Sequence, residues 1–146
     1  IDMTYALERK AIEVYLSAQW GTTTPIGFDG HEFTPSFNSI RVSIGNGLAL
    51  QGSIGGNTNR IDYTGIVTIQ IFTENGKGSA TWRGYAETLD GIFFDKRIAN
   101  TGAVATTNEF IRFSPDQQHP YISGEVSDIP FHIATFVAPF VRYEFK

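Results

Sequence analysis

Apolar and polar positions alternate from Arg60 to Thr73, with Ile61, Tyr63, Val67, Ile69 and Ile71 set against Asp62, Thr64, Thr68 and Gln70. A period of two belongs to a strand with one buried face, and its length predicts a central strand. Beyond Glu74-Asn75-Gly76-Lys77-Gly78-Ser79 the period changes: Trp82, Tyr85, Ala86, Leu89, Ile92 and Phe93 recur three and four residues apart. That spacing lines one face of a helix, with Ser79 placed to cap its first turn.

An earlier helix is predicted over Thr4 to Gln19, where the helix formers Ala6, Leu7, Glu8, Arg9, Lys10, Ala11 and Glu13 carry an apolar stripe of Tyr5, Ile12, Tyr15 and Leu16, with Leu7 a candidate member. Thr4 or Asp2 would cap it, and Trp20-Gly21 with Pro25 would end it. Short extended pieces are expected at Ile26 to Phe28 and Ser39 to Ile44. The glycine- and asparagine-rich run Gly45 to Asn59 then reads as the tip of a long hairpin. It also holds Leu48, Leu50 and Ile54, which are costly to expose unless something covers them. Either the tip orders against a partner or these residues fold back on their own domain.

Towards the C-terminus, Ala99 to Thr107 reads as an exposed turn, Phe110 to Phe113 as a short strand, and Ser114-Pro115-Asp116 as a turn leading to Tyr121-Ile122. Phe131, Ile133, Phe136, Val137, Phe140, Val141, Tyr143 and Phe145 make a final strand interrupted by Pro139, a residue that marks an edge or a bulge. The element order predicts an α+β fold: a mixed or antiparallel sheet with two helices packed on one face and a long glycine-rich β-hairpin. Residues 1–146 read as a single domain, without an internal repeat or linker.

Composition narrows the function classes. At 146 residues and 41% hydrophobic content the chain can build one core. A formal net charge of −4, with the eleven basic residues scattered, argues against sequence-independent nucleic-acid binding, which rests on cations neutralising phosphates. The absence of cysteine excludes disulfides, thiolate catalysis and cysteine-ligated metals. No apolar run has the length of a transmembrane span, so no membrane association is expected.

Candidate chemistry is sparse. Gly76-Lys77-Gly78-Ser79 after a strand and before a helix has the ingredients of a phosphate-binding loop, but the motif needs a glycine where Ile71 stands and a hydroxyl residue where Gly78 stands. The glycines read as a permissive turn. His31, His119 and His132 lack metal-ligand spacing, and no serine sits on a Gly-x-Ser-x-Gly elbow. Asp116, His119 and Asp128 cluster in sequence as chance allows. Asp90, Asp95, Glu109 and Glu125 show no glycosidase-like pairing, and Glu87 with Asp90 reads as the solvated face of the second helix. The expectation is no enzyme, no cofactor and no metal.

The whole layout resembles the tail terminator-like family of long-tailed bacteriophages. The likeness runs through Ile40-Arg41-Val42, the glycine-rich hairpin, Tyr63-Thr64-Gly65-Ile66-Val67-Thr68-Ile69-Gln70-Ile71, the Gly76-Lys77-Gly78 turn, the helix with Ala86, Leu89 and Phe93, then Phe110 to Phe113 and the closing Val141 to Phe145. The resemblance implies a virion structural protein, made in the host cytoplasm, that forms a hexameric ring on the head-proximal end of the tail tube. Such a ring stops tube polymerisation and meets the head–tail connector. Its partners would be further copies of itself, the tail tube protein and the connector protein, with DNA passing through without sequence-specific contact. From chemistry, Leu48, Leu50 and Ile54 are the expected apolar interface contacts, and Arg60 an inter-subunit ion pair at the hairpin base. Another neck connector, or a small nucleotide-binding hydrolase built on Gly76 to Ser79, are the alternatives.

Overall fold

A computed structural model describes residues 5–53, 55, 59–107 and 109–145. The chain runs α1 (Tyr5–Trp20), β1 (Ile26–Gly27), β2 (Ser39–Gln51), β3 (Arg60–Glu74), α2 (Ala80–Phe93), β4 (Arg97–Ile98), β5 (Ile111–Phe113), a 3-10 turn at Pro115–Gln117, β6 (Tyr121–Asp128) and β7 (Phe131–Phe145). The described strands form one sheet in the order β1-β2-β3-β7-β5-β4, with β6 also on β7. Only β1 and β2 run parallel, so the sheet is mixed and the fold is α+β.

The alternation seen in the sequence sets the layers. Val67, Ile69 and Ile71 of β3 lie on the same face as their partners Ala138, Phe136 and Ala134 of β7, and as Ile44, Val42 and Ile40 of β2. Both helices cover this face. Ala11, Ile12, Tyr15, Leu16 and Trp20 of α1 and Trp82, Leu89, Ile92 and Phe93 of α2 join those strands in one buried core. Among the described residues no helix covers the opposite face, and at one end an aromatic group of Phe33, Phe37, Phe72 and Phe131 closes over it.

Several elements differ from the sequence reading. β2 continues to Gln51, so much of the expected loop is strand, and β6 extends to Asp128 where only Tyr121-Ile122 was legible. Nearly all of β6 is exposed, which erases the alternation that would have marked it. β7 is continuous through Pro139. Its outer partners change there, from β6 at Val137 to β5 at Phe140, and the Pro139 carbonyl accepts from the Ser114 amide in the gap. Because N–H and C=O of one strand residue point the same way, the missing donor faces that gap and removes no bond to β3. Ser79 does sit at the N-cap of α2, but it acts through its backbone: its carbonyl accepts from the Arg83 amide and its hydroxyl makes no cap bond.

Tyr15 ties the helices together by donating its hydroxyl to the Ile92 carbonyl, with its ring stacked on Phe113. Burial pushes its pKa up from 10.0 to about 12. Because the folded value lies above the unfolded one, this contribution to stability is intact below pH 10 and is lost as pH rises through 12. Ultraviolet titration is expected to show one of the six tyrosines ionising late, and Tyr15→Phe to remove that step. A Tyr15→Phe variant with an unchanged titration curve would contradict the assignment.

Candidate oligomer interface

The β2–β3 hairpin leaves the helix-covered core at its far end. From Gly45 to Gln51 every residue is exposed, and the pairing shifts register between Asn46 and Ala49. That shift aims the Leu48 carbonyl at Thr64, whose hydroxyl donates to it at 2.7 Å. Leu48 is 74% exposed and Leu50 54%, in a hairpin whose ladder is otherwise regular. Two such leucines on an ordered strand present apolar surface with no cover from their own chain, so the fold-back alternative is not what these two residues adopt. Ile54 lies outside the described residues.

Arg60 closes the base of the tip within its own chain. Its Nε donates to Asp62 Oδ1 at 2.9 Å and its Nη2 to Asp62 Oδ2 at 3.3 Å, while the guanidinium lies 4.9 Å from the Tyr143 ring centroid. Its backbone carbonyl accepts from Gly52 and its amide donates to Ser53 Oγ. The side chain remains 40% exposed and open to a further partner. An exposed pair of this kind contributes little to stability on its own.

The root of the hairpin holds a group that the sequence reading missed. Glu8, named there only as a helix former, is 1% exposed, whereas Tyr5 of the expected apolar stripe is exposed. Arg142 Nε donates to Glu8 Oε1 at 3.0 Å, and Asn46 Nδ2 donates to Glu8 Oε2 at 2.8 Å. The guanidinium packs on the rings of both Tyr63 and Tyr5, at 4.2 Å and 4.9 Å, and the two rings meet edge to face beside it with centroids 5.7 Å apart. Arg142 also reaches Glu144 at 3.3 Å. Helix α1, the β2 bulge and β7 are thereby fastened at one point. The one signal in the sequence was an arginine on the inward phase of an otherwise apolar strand.

The other candidates do not assemble into one site. Among the described residues no group of three or more His, Asp or Glu could hold a metal ion. His119 stacks on Phe94, and His132 stacks on Trp82 while contacting Glu125 at 3.1 Å. Gly76 and Gly78 both have positive φ, +85° and +82°, so their role in the turn is conformational. No described helix is long and apolar enough to cross a membrane.

No family model and no curated protein matches this chain. Solved structures do match, twelve chains in all. One of them superimposes with a TM-score of 0.68 at 18% sequence identity, covering 97% of this chain and 96% of its own. At that identity the likeness shows the fold alone, over essentially the full length of both chains.

Proposed function

We propose that this chain is a phage tail terminator: a structural subunit that forms a ring, expected to be hexameric, on the end of the tail tube, halts tube growth and offers a surface to the connector. The observation that carries the reading is the ordered hairpin with Leu48 and Leu50 uncovered, anchored at its root by a buried ion pair. A ring subunit needs such a feature, because a contact between two different patches on identical chains closes by rotation. The element order that resembles the terminator family supports it further. Joining a capsid neck, the alternative role within the virion, uses the same ring logic and differs in what its loss does to tail length.

Leu48→Ser with Leu50→Ser tests the role of the hairpin. Both side chains are exposed, so the subunit is expected to keep its fold while losing ring assembly on purified tubes. Ring density at tube ends in negative stain is the readout. Undiminished capping by the doubly substituted chain would count against the hairpin as the interface.

A further inference from the structure

We propose that the hairpin of one copy lies in the groove between α2 and β6 of the next, so that identical chains join head to tail. The groove has a volume of about 310 Å³, with Trp82, Ala86, Ile122 and Phe136 among its lining residues; its exposed charged residues are Glu87, Asp90 and one cation, Arg83, which lies 4.5 Å from the Trp82 ring and leaves the rim net acidic. Alongside it, β6 pairs with β7 alone among the described strands, so its outer edge offers unpaired backbone groups.

The hairpin carries the matching features. Beyond its pairing with β1 at Ile40 and Arg41 and the Ile44 amide, which donates to Asp29, the outer edge of β2 has no strand partner among the described residues as far as Gln51, and it carries the uncovered Leu48 and Leu50. No Asp, Glu, Lys or Arg occurs from Val42 to Asn59, so entering an apolar groove strips no charge of its water. The first cation after this run is Arg60, and it suits the rim. Glu87 and Asp90 form no ion pair among the described residues, while the Arg60 side chain is 40% exposed.

A chain cannot fill its own groove. Leu50 pairs with Asp62, whereas Ile122 pairs with Phe136 and Phe136 with Ile69. Along the strands and across three strand spacings the two corners are roughly 25 Å apart. The occupant is therefore a second copy, and two distinct patches at opposite corners make a heterologous contact of the kind that closes rings. The inference rests on the ring reading above and names the contact that would build the ring.

The absence of cysteine makes a direct test clean. Full-length Leu50→Cys and Ala86→Cys chains, one bearing a tag, are mixed at high protein concentration under mild oxidation. The expected result is conversion of most of the chain to a disulfide-linked heterodimer. Leu50→Cys mixed with Lys10→Cys, a position exposed on α1, should convert little. Equal yields in the two mixtures, a predominance of Leu50→Cys homodimers, or no crosslink at all would each overturn the proposal. Tail length in a gene deletion is a separate readout, so failure of this contact and failure of the terminator role would be told apart.

Discussion

Arg142→Ala is expected to lower the stability of the fold by about 3–5 kcal/mol, the usual cost of removing one member of a buried ion pair. Arg142 and Glu8 are each 1% exposed, so the substitution strands the Glu8 carboxylate without its cation in a place water does not reach. It also removes the guanidinium that packs on the rings of both Tyr5 and Tyr63. For a domain of this length the loss corresponds to a drop of roughly 10 to 15 °C in Tm, readable by thermal unfolding followed by circular dichroism. Replacing the pair together, as Glu8→Leu with Arg142→Met, is expected to recover much of the loss, since a well-packed apolar pair often matches a buried ionic one. A single variant within about 1 kcal/mol of the parent would show that Glu8 finds other compensation. Because Glu8 also receives Asn46, the hairpin root is expected to exchange its amide hydrogens faster in Arg142→Ala than in the parent.

Gly65→Ala is the second large effect, and its cause is space. A Cβ at Gly65 would stand 2.4 Å from the Phe140 ring and 2.8 Å from the Gly45 carbonyl oxygen of β2. Phe140 is buried against Phe113, so its ring has little room to yield, and the carbonyl is backbone in a paired strand. Over-packing of this kind costs about 1–3 kcal/mol, and the immovable backbone atom places this case at the upper end. Chemical denaturation is expected to show a lower midpoint with an unchanged slope. Phe140→Leu would relieve the ring clash and not the carbonyl clash, so the double variant should recover only part of the loss. An unchanged midpoint in Gly65→Ala would mean that β2 and β3 can separate locally without cost.

Much of the fold was legible in the residues, for physical reasons that differ by element. β3 and α2 could be read because each has one buried face, and burial writes its period directly into the choice of side chain. β6 left no such trace, since a strand exposed on nearly every residue has no face to encode. The distal half of β2 was hidden by its glycines, whose usual association with loops was outweighed by pairing to a strongly specified β3. The pairing of Glu8 with Arg142 was not read, because partners 134 positions apart give no local signal of each other. Leu48 and Leu50 could be named from the conflict between apolar side chains and a glycine-rich context, and both are exposed. The groove between α2 and β6 could not, because it exists only once the chain has folded.

The terminator reading is tested most directly by electron microscopy of particles made by the parent phage with this gene removed. Loss of a cap leaves tube growth unchecked, so the account predicts abnormally long tubes separated from filled heads. Tails of normal length would contradict it: detached, they would assign the chain to the neck, and attached, to a role outside the virion's architecture.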